Sequence, residues 1–212
     1  MTQEELVATY WAGVDDAPDL LADLYLDFHD FDGIEFVMFK NRLSSAILVS
    51  RSARAGNSQL ATQFEEQRRD GSHRVPGWEE ESDIVLGESI DVVDDAQAIA
   101  IGATILSAVT ALELLLKELS PEEGGRGGLD RNLRDFLARY EASADEEARI
   151  LEMTSKVRRR RNDFAHTLTG SHWISSLGRP SLTSDDLEDT LFKVAEIAIE
   201  IEGLVKRGRP RP

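Results

Sequence analysis

Apolar residues recur along most of this chain at helical spacing. Between Ala96 and Leu119 they cover most of a helix's circumference, which predicts a central, largely buried helix. Leu129, Leu133, Phe136, Leu137 and Tyr140 share one side of a short amphipathic helix, 129–140. Ile150, Met153, Val157, Phe164 and Leu168 mark one face of a helix spanning 144–167. Leu187, Leu191, Val194, Ile197, Ala198, Ile201 and Leu204 line a last helix, for which Ser184 is the expected N-cap. Pro121 and the glycines at 124, 125, 127 and 128 close the central helix, and Gly170 and Pro180 bracket a later loop holding His172 and Trp173.

The first half is patterned less strongly. Thr2 and Glu5 form a capping-box pattern before a short helix at 4–12. Pro18 opens a second helix, expected to run to about Phe28. Phe36, Phe39, Leu43, Ala46 and Ile47 keep helical spacing in a segment from Ile34 to about Arg54; a short strand at Phe36–Phe39 is the alternative. Gly56-Asn57 is expected to break that helix, with a weaker one following at 58–69. Residues 71–94, with Gly71, Pro76, Gly77, Gly87 and an acidic run, are expected to form an irregular connector. The turn Asp27–Gly33 holds Asp27, His29, Asp30 and Asp32. Its glycine fits no EF-hand position, and no metal or other cofactor is expected.

The organisation that follows is all-α. Residues 1–70 form an acidic helical region, 71–94 the connector, 95–206 the main helical unit and 207–212 a basic, Pro-rich tail. Charge divides the same way. Residues 1–95 carry 21 Asp/Glu against 7 Lys/Arg, a balance of −14, whereas 96–212 come to −2. A chain of net charge −16 is no bulk nucleic-acid binder, so any RNA contact must be local. The absence of cysteine excludes disulfides, thiol nucleophiles and Cys-based zinc sites. An acidic N-terminus without an apolar run predicts no signal peptide, and the polar residues within Ala98–Leu116 predict a buried helix rather than a membrane span. A cytoplasmic location is expected.

The densest positive charge lies at Val157–His166, V-R-R-R-R-N-D-F-A-H. Arg160 or Arg161 interrupts the apolar stripe there, and a guanidinium in that place needs a charged partner. Arg158, Asn162 and His166 follow one another at four-residue steps along a polar ridge. By itself this pattern also describes a solvated basic helix end.

Arg161-Asn162-Asp163-Phe164-Ala165-His166 resembles the R-x4–6-H signature of the HEPN superfamily (higher eukaryotes and prokaryotes nucleotide-binding domains). Its wording is most similar to mannitol-operon-repressor-like and abortive-infection members. The order of long, short, motif-bearing and closing helices over roughly 95–206 resembles that family's four-helix unit. The stretch Ala108–Leu116 is similar to its first core helix, with Glu113 as the orienting acid.

The resemblance implies a HEPN-like four-helix bundle with an additional helical N-terminal region. It implies a metal-independent endoribonuclease, of toxin or antiphage-effector type, working as a homodimer with Arg161 and His166 of both copies in one cleft. Its substrate would be RNA, whose own 2′-hydroxyl attacks the adjacent phosphate. His166 would move a proton, Arg161 would stabilise the phosphoryl charge, and Asn162 would orient the phosphate or the imidazole. Arg158, Arg159 and Arg160 would hold flanking phosphates. Control by an antitoxin or a defence-system partner follows from the same likeness. However, members paired with a nucleotidyltransferase carry Tyr two residues after the His, where this chain has Leu168. The alternative is a non-catalytic regulatory or nucleic-acid-binding module resembling the mannitol-operon repressor. For that reading the tail matters: Arg207-Gly208-Arg209-Pro210 resembles an AT-hook core, which would lay two Arg side chains along an A·T minor groove.

Overall fold

The computed structural model describes residues 17–120, 128–140, 142–169 and 182–208, with all their side chains except those of Asp19 and residues 166–169. The described residues are helical and contain no strand. After a 3-10 turn at Pro18–Leu20 come α1 (Ile34–Asp70), α2 (Glu79–Leu119), α3 (Leu129–Arg139), α4 (Ala144–Thr169) and α5 (Ser184–Arg207). The expected helix at 4–12 lies outside the described residues.

The central helix is α2, which packs against each of the other four. Its C-terminal half buries Ile101, Ile105, Ala108, Val109, Leu112, Leu115 and Leu116, as expected of a helix apolar on nearly every side. On it rest Leu133 and Phe136 of α3, Ile150 and Val157 of α4, and Val194, Ile197 and Ile201 of α5, all within one core. Two capping boxes set the starts of α4 and α5. Ser143 and Glu146 exchange bonds at the first, with both the Ser143 N–H and its hydroxyl donating to Glu146. At the second the N-cap is Thr183, not Ser184: the Thr183 hydroxyl accepts from the Asp186 N–H, and the Asp186 carboxylate accepts from the Thr183 N–H. Ser184 has no acid at the spacing that would return the bond to it.

Three expectations for the first half are corrected. The segment after Pro18 makes only one 3-10 turn and then irregular turns to Phe28, and Asp27 and Phe28, both at positive φ (49° and 54°), turn the chain away from a helical path there. Gly56-Asn57 does not break α1, which runs unbroken for 37 residues. Residues 71–94 are not an irregular connector: the connection ends at Trp78, and α2 is already helical from Glu79. In both cases an antiparallel neighbour supplies what local sequence lacks. The outer parts of α1 and α2 run beside one another, with Leu86 and Val93 buried and Asn57 donating to Gln97 at 3.3 Å. Tertiary burial outweighs the roughly 1 kcal/mol that one Gly costs a helix. The α1–α2 turn is pinned by Gly71 in the left-handed region (φ 72°), its N–H donating to the Gln67 carbonyl.

Residues 17–33 close over α1 and α5. Leu21, Ala22, Leu26 and Phe31 are buried there. Glu202 of α5, itself buried, accepts from the Asp32 N–H and meets His29 Nε2, both at 2.6 Å. Lys206 then bridges Glu202 and Asp32. The acidic turn that invites a metal reading is thus tied to α5 through these pairs.

Candidate functional site

The four consecutive arginines of α4 step round the helix by about 100° each, so each faces a different surrounding. Arg158 reaches α3 and pairs with Asp130 at 2.5 Å. Arg159 points outward, exposed, with no bond or ion pair to any described residue. Arg160 reaches α5, where it pairs with Asp186 at 3.1 Å and with Asp189, and donates to the Thr190 hydroxyl at 3.2 Å. Arg161 faces α2 and Glu113, at 3.6 Å.

Arg158, Arg159 and Arg160, expected to hold flanking phosphates, therefore face three different surroundings. Arg158 and Arg160 bind the bundle together, and Arg159 is the one of the three left facing solvent. Asp186 and Asp189 sit below the usual carboxylate range: Asp186 through the Thr183 N–H first and Arg160 after it, Asp189 through Lys193 first and then Arg160. These acids went unnoticed in the sequence because their spacing from the arginines is set by how α4 crosses α5. Asp185-Asp186 and Asp189 at one end of α5 were the available signal.

Glu113 does two jobs. Its Oε1 accepts the Leu129 N–H at 3.2 Å, satisfying one of the donors that the first turn of α3 leaves unpaired. The same oxygen faces Arg161. The carboxylate is 14% exposed and the guanidinium 30%, so the pair lies at the edge of the core, open on one side. The structure thus brings together Arg161 and Glu113. The guanidinium that interrupts the apolar stripe is met by a carboxylate of its own chain.

Phe164, inside the motif, fixes its depth. The ring is 1% exposed and lies flat on Gly102 of α2. A Cβ at position 102 would fall 2.0–2.4 Å from three of its ring carbons. A Gly inside a strong helix usually marks such a close approach. Asn162, four and three residues from Arg158 and Arg159, is half-buried. His166 belongs to the same helix one turn on; its side chain, like that of Leu168, lies outside the described residues, as do His172 and Trp173.

The tail divides. Arg207 is the last residue of α5 and pairs with Glu146 at 2.6 Å, while Gly208 donates its N–H to the Leu204 carbonyl at 2.8 Å. A Cβ on Gly208 would come 3.0 Å from the Tyr140 ring. The first half of the AT-hook-like stretch is therefore committed to the helical body rather than extended for a minor groove; Arg209 and Pro210 lie outside the described residues.

α2 is long and apolar enough to cross a membrane by length and composition, yet 56% of its most apolar window is buried inside the protein. Comparison with protein-family models, curated proteins and solved structures found no match for this chain.

Proposed function

We propose that this chain is a metal-independent endoribonuclease built on a HEPN-like four-helix unit of α2, α3, α4 and α5, of the toxin or antiphage-effector type. The observation that carries the reading is the state of Arg161. Arg158 and Arg160 spend donors on carboxylates at 2.5–3.1 Å, whereas among the described residues Arg161 is met only by Glu113, at 3.6 Å, beyond hydrogen-bond distance. A guanidinium oriented by a carboxylate, with donors left over at an open edge, suits a phosphate that arrives and leaves. In this mechanism His166 takes the 2′-hydroxyl proton as O2′ bonds to phosphorus. The P–O5′ bond breaks and the 5′ oxygen is protonated, leaving a cyclic phosphate and a 5′-hydroxyl. Asn162 orients the phosphate or the imidazole, Arg159 holds a flanking phosphate, and two copies share one cleft.

The deciding assay is cleavage of bulk RNA in EDTA by the wild type, Arg161→Ala and His166→Ala. Activity that persists in chelator, falls about 10²–10⁴-fold in His166→Ala and vanishes on a 2′-methoxy substrate is expected. Cleavage of the 2′-methoxy analogue or of DNA would refute the mechanism. A non-catalytic regulatory module is the second reading. It is favoured by the commitment of Arg158 and Arg160 to ion pairs, which leaves fewer phosphate ligands than the sequence promises. RNA binding that depends on Arg161 without any cleavage would select it.

A further inference from the structure

Residues 71–78 connect α1 to α2, and one side chain in that connection touches both helices. The His73 side chain is only 8% exposed and stands between the last turn of α1 and the start of α2. Its Nδ1 lies 2.8 Å from the Gln67 carbonyl oxygen, and its Nε2 lies 2.7 Å from Asp83 Oδ1. Neither oxygen has a proton to give. A carbonyl carries none. Asp83 carries none because Arg74 grips both of its oxygens, Nε donating to Oδ1 and Nη2 to Oδ2, each at 2.9 Å. Arg74 first, and His73 after it, hold the Asp83 carboxyl down at about 2. A neutral imidazole has one N–H and one lone pair. Here the lone pair would face an oxygen at hydrogen-bond distance, whichever nitrogen it fell on. Turning the ring over sets C–H groups against both oxygens instead. The imidazolium, with two N–H groups, is the form that satisfies both.

We infer that His73 is a proton-operated clasp on the α1–α2 hairpin: the doubly protonated ring ties the end of α1 to the start of α2, and loss of one proton releases the connection between them. The charges around the ring come from every element that meets it. Asp70 lies at the end of α1, and Glu81 and Asp83 belong to α2. Arg74, in the connection, is the one cation among them and is itself spent on Asp83. Glu79 acts on Arg74 and accepts the Gly77 N–H at 2.9 Å. Carboxylates therefore outnumber cations, which favours positive charge on the ring. Closing the turn and holding the second proton favour each other. The clasp is thus complete in mildly acidic solution and is lost as pH rises and the ring gives up a proton. Asp83 stays charged across the range in which an imidazole titrates, so it does not offset the effect. Release loosens the neighbouring bonds, from the Gly71 N–H to the Gln67 carbonyl, the Arg74 N–H to the Gly71 carbonyl and the Val75 N–H to the Ser82 hydroxyl. It also uncovers apolar surface. The ring is part of the wall of a hollow of about 330 Å³, with Phe64, Val85 and Leu86, and Val75 and Trp78 beside it are already largely exposed.

The inference does not rest on the ribonuclease reading, and its test does not use cleavage. Native-state amide exchange of the full chain is measured at about pH 5.5 and about pH 8.5 and corrected for the chemical exchange rate at each. Protection of the Gly71, Arg74 and Val75 amides, relative to amides in the buried half of α2, is expected to be about tenfold greater at the lower pH. In His73→Gln, which keeps a donor for Asp83 but has nothing to titrate, that dependence should vanish. Equal relative protection at the two pH values in the wild type, or the same dependence in a folded His73→Gln, would overturn the clasp. Should the variant not fold, ring nitrogen NMR on the wild type decides. Protons on both His73 nitrogens wherever the three amides are protected, and a lone-pair nitrogen wherever they are not, is the expected result. A ring with a lone-pair nitrogen while the turn remains protected would refute it.

Discussion

Gly102→Ala adds one methyl group to the molecule at the place where the motif is seated. The new Cβ would lie 2.0, 2.1 and 2.4 Å from Phe164 Cδ2, Cε2 and Cγ, so the ring must retreat by more than an ångström to regain ordinary contact. Phe164 is 1% exposed and has no free volume to enter without moving α4. Overpacking of this kind costs about 1–3 kcal/mol, and the depth of this overlap puts it at the upper end. Against it stands the gain of about 1 kcal/mol that Ala brings to a helix interior. A net loss of about 2 kcal/mol is expected, read as a fall of about 4–8 °C in Tm or from urea unfolding followed by circular dichroism. Phe164→Leu, which removes part of the ring, should relieve the strain, so the double variant should be more stable than the two single losses added together by about 1 kcal/mol or more. Were Gly102→Ala neutral or stabilising, or strictly additive with Phe164→Leu, the seating of the motif on this glycine would be refuted. Because Arg161 is three residues from Phe164, the same variant should also lose whatever phosphate binding the motif has, in proportion to the displacement of α4.

Three further outcomes follow from the same geometry. Arg160→Ala should lower stability by about 1 kcal/mol by leaving Asp186 and Asp189 without their guanidinium, while Arg159→Ala should leave stability unchanged and weaken RNA binding; equal stability losses would contradict the division of labour among the arginines. Glu113→Leu should cost about 1–3 kcal/mol, through the uncapped Leu129 N–H and the unpaired Arg161, with Glu113→Gln nearer the wild type because an amide oxygen still accepts; identical losses in the two variants would show that the carboxylate oxygen is not the acceptor that matters. The Ser143 N–H and hydroxyl, then Arg207, hold Glu146 down from its ordinary 4.5 to about 2. A lowered carboxylate pKa contributes stability that is complete above about pH 4.5 and is lost as pH falls towards 2, so Glu146→Gln should flatten the acid limb of the stability profile in that window; an unchanged slope would refute the assignment.

What the sequence determined by itself was local and periodic. The stripes Ile150–Met153–Val157–Phe164 and Leu187–Leu191–Val194–Ile201 declare their helices and buried faces because a helix repeats every 3.6 residues whatever surrounds it. The second half of α2, apolar around most of its circumference, declared a central helix for the same reason, and the R-N-D-F-A-H wording marked α4. Three things came only from the packing of one helix on another. The reach of α1 through Gly56-Asn57, and of α2 back to Glu79, depends on each helix lying against the other, which no window of either can register. The pairing of Glu113 with both Arg161 and the start of α3 joins residues 16 and 48 positions apart, which meet only where α2, α3 and α4 converge. Four adjacent arginines look alike in a sequence, and the 100° between them becomes a difference in role only when α3, solvent, α5 and α2 stand on four successive sides of α4.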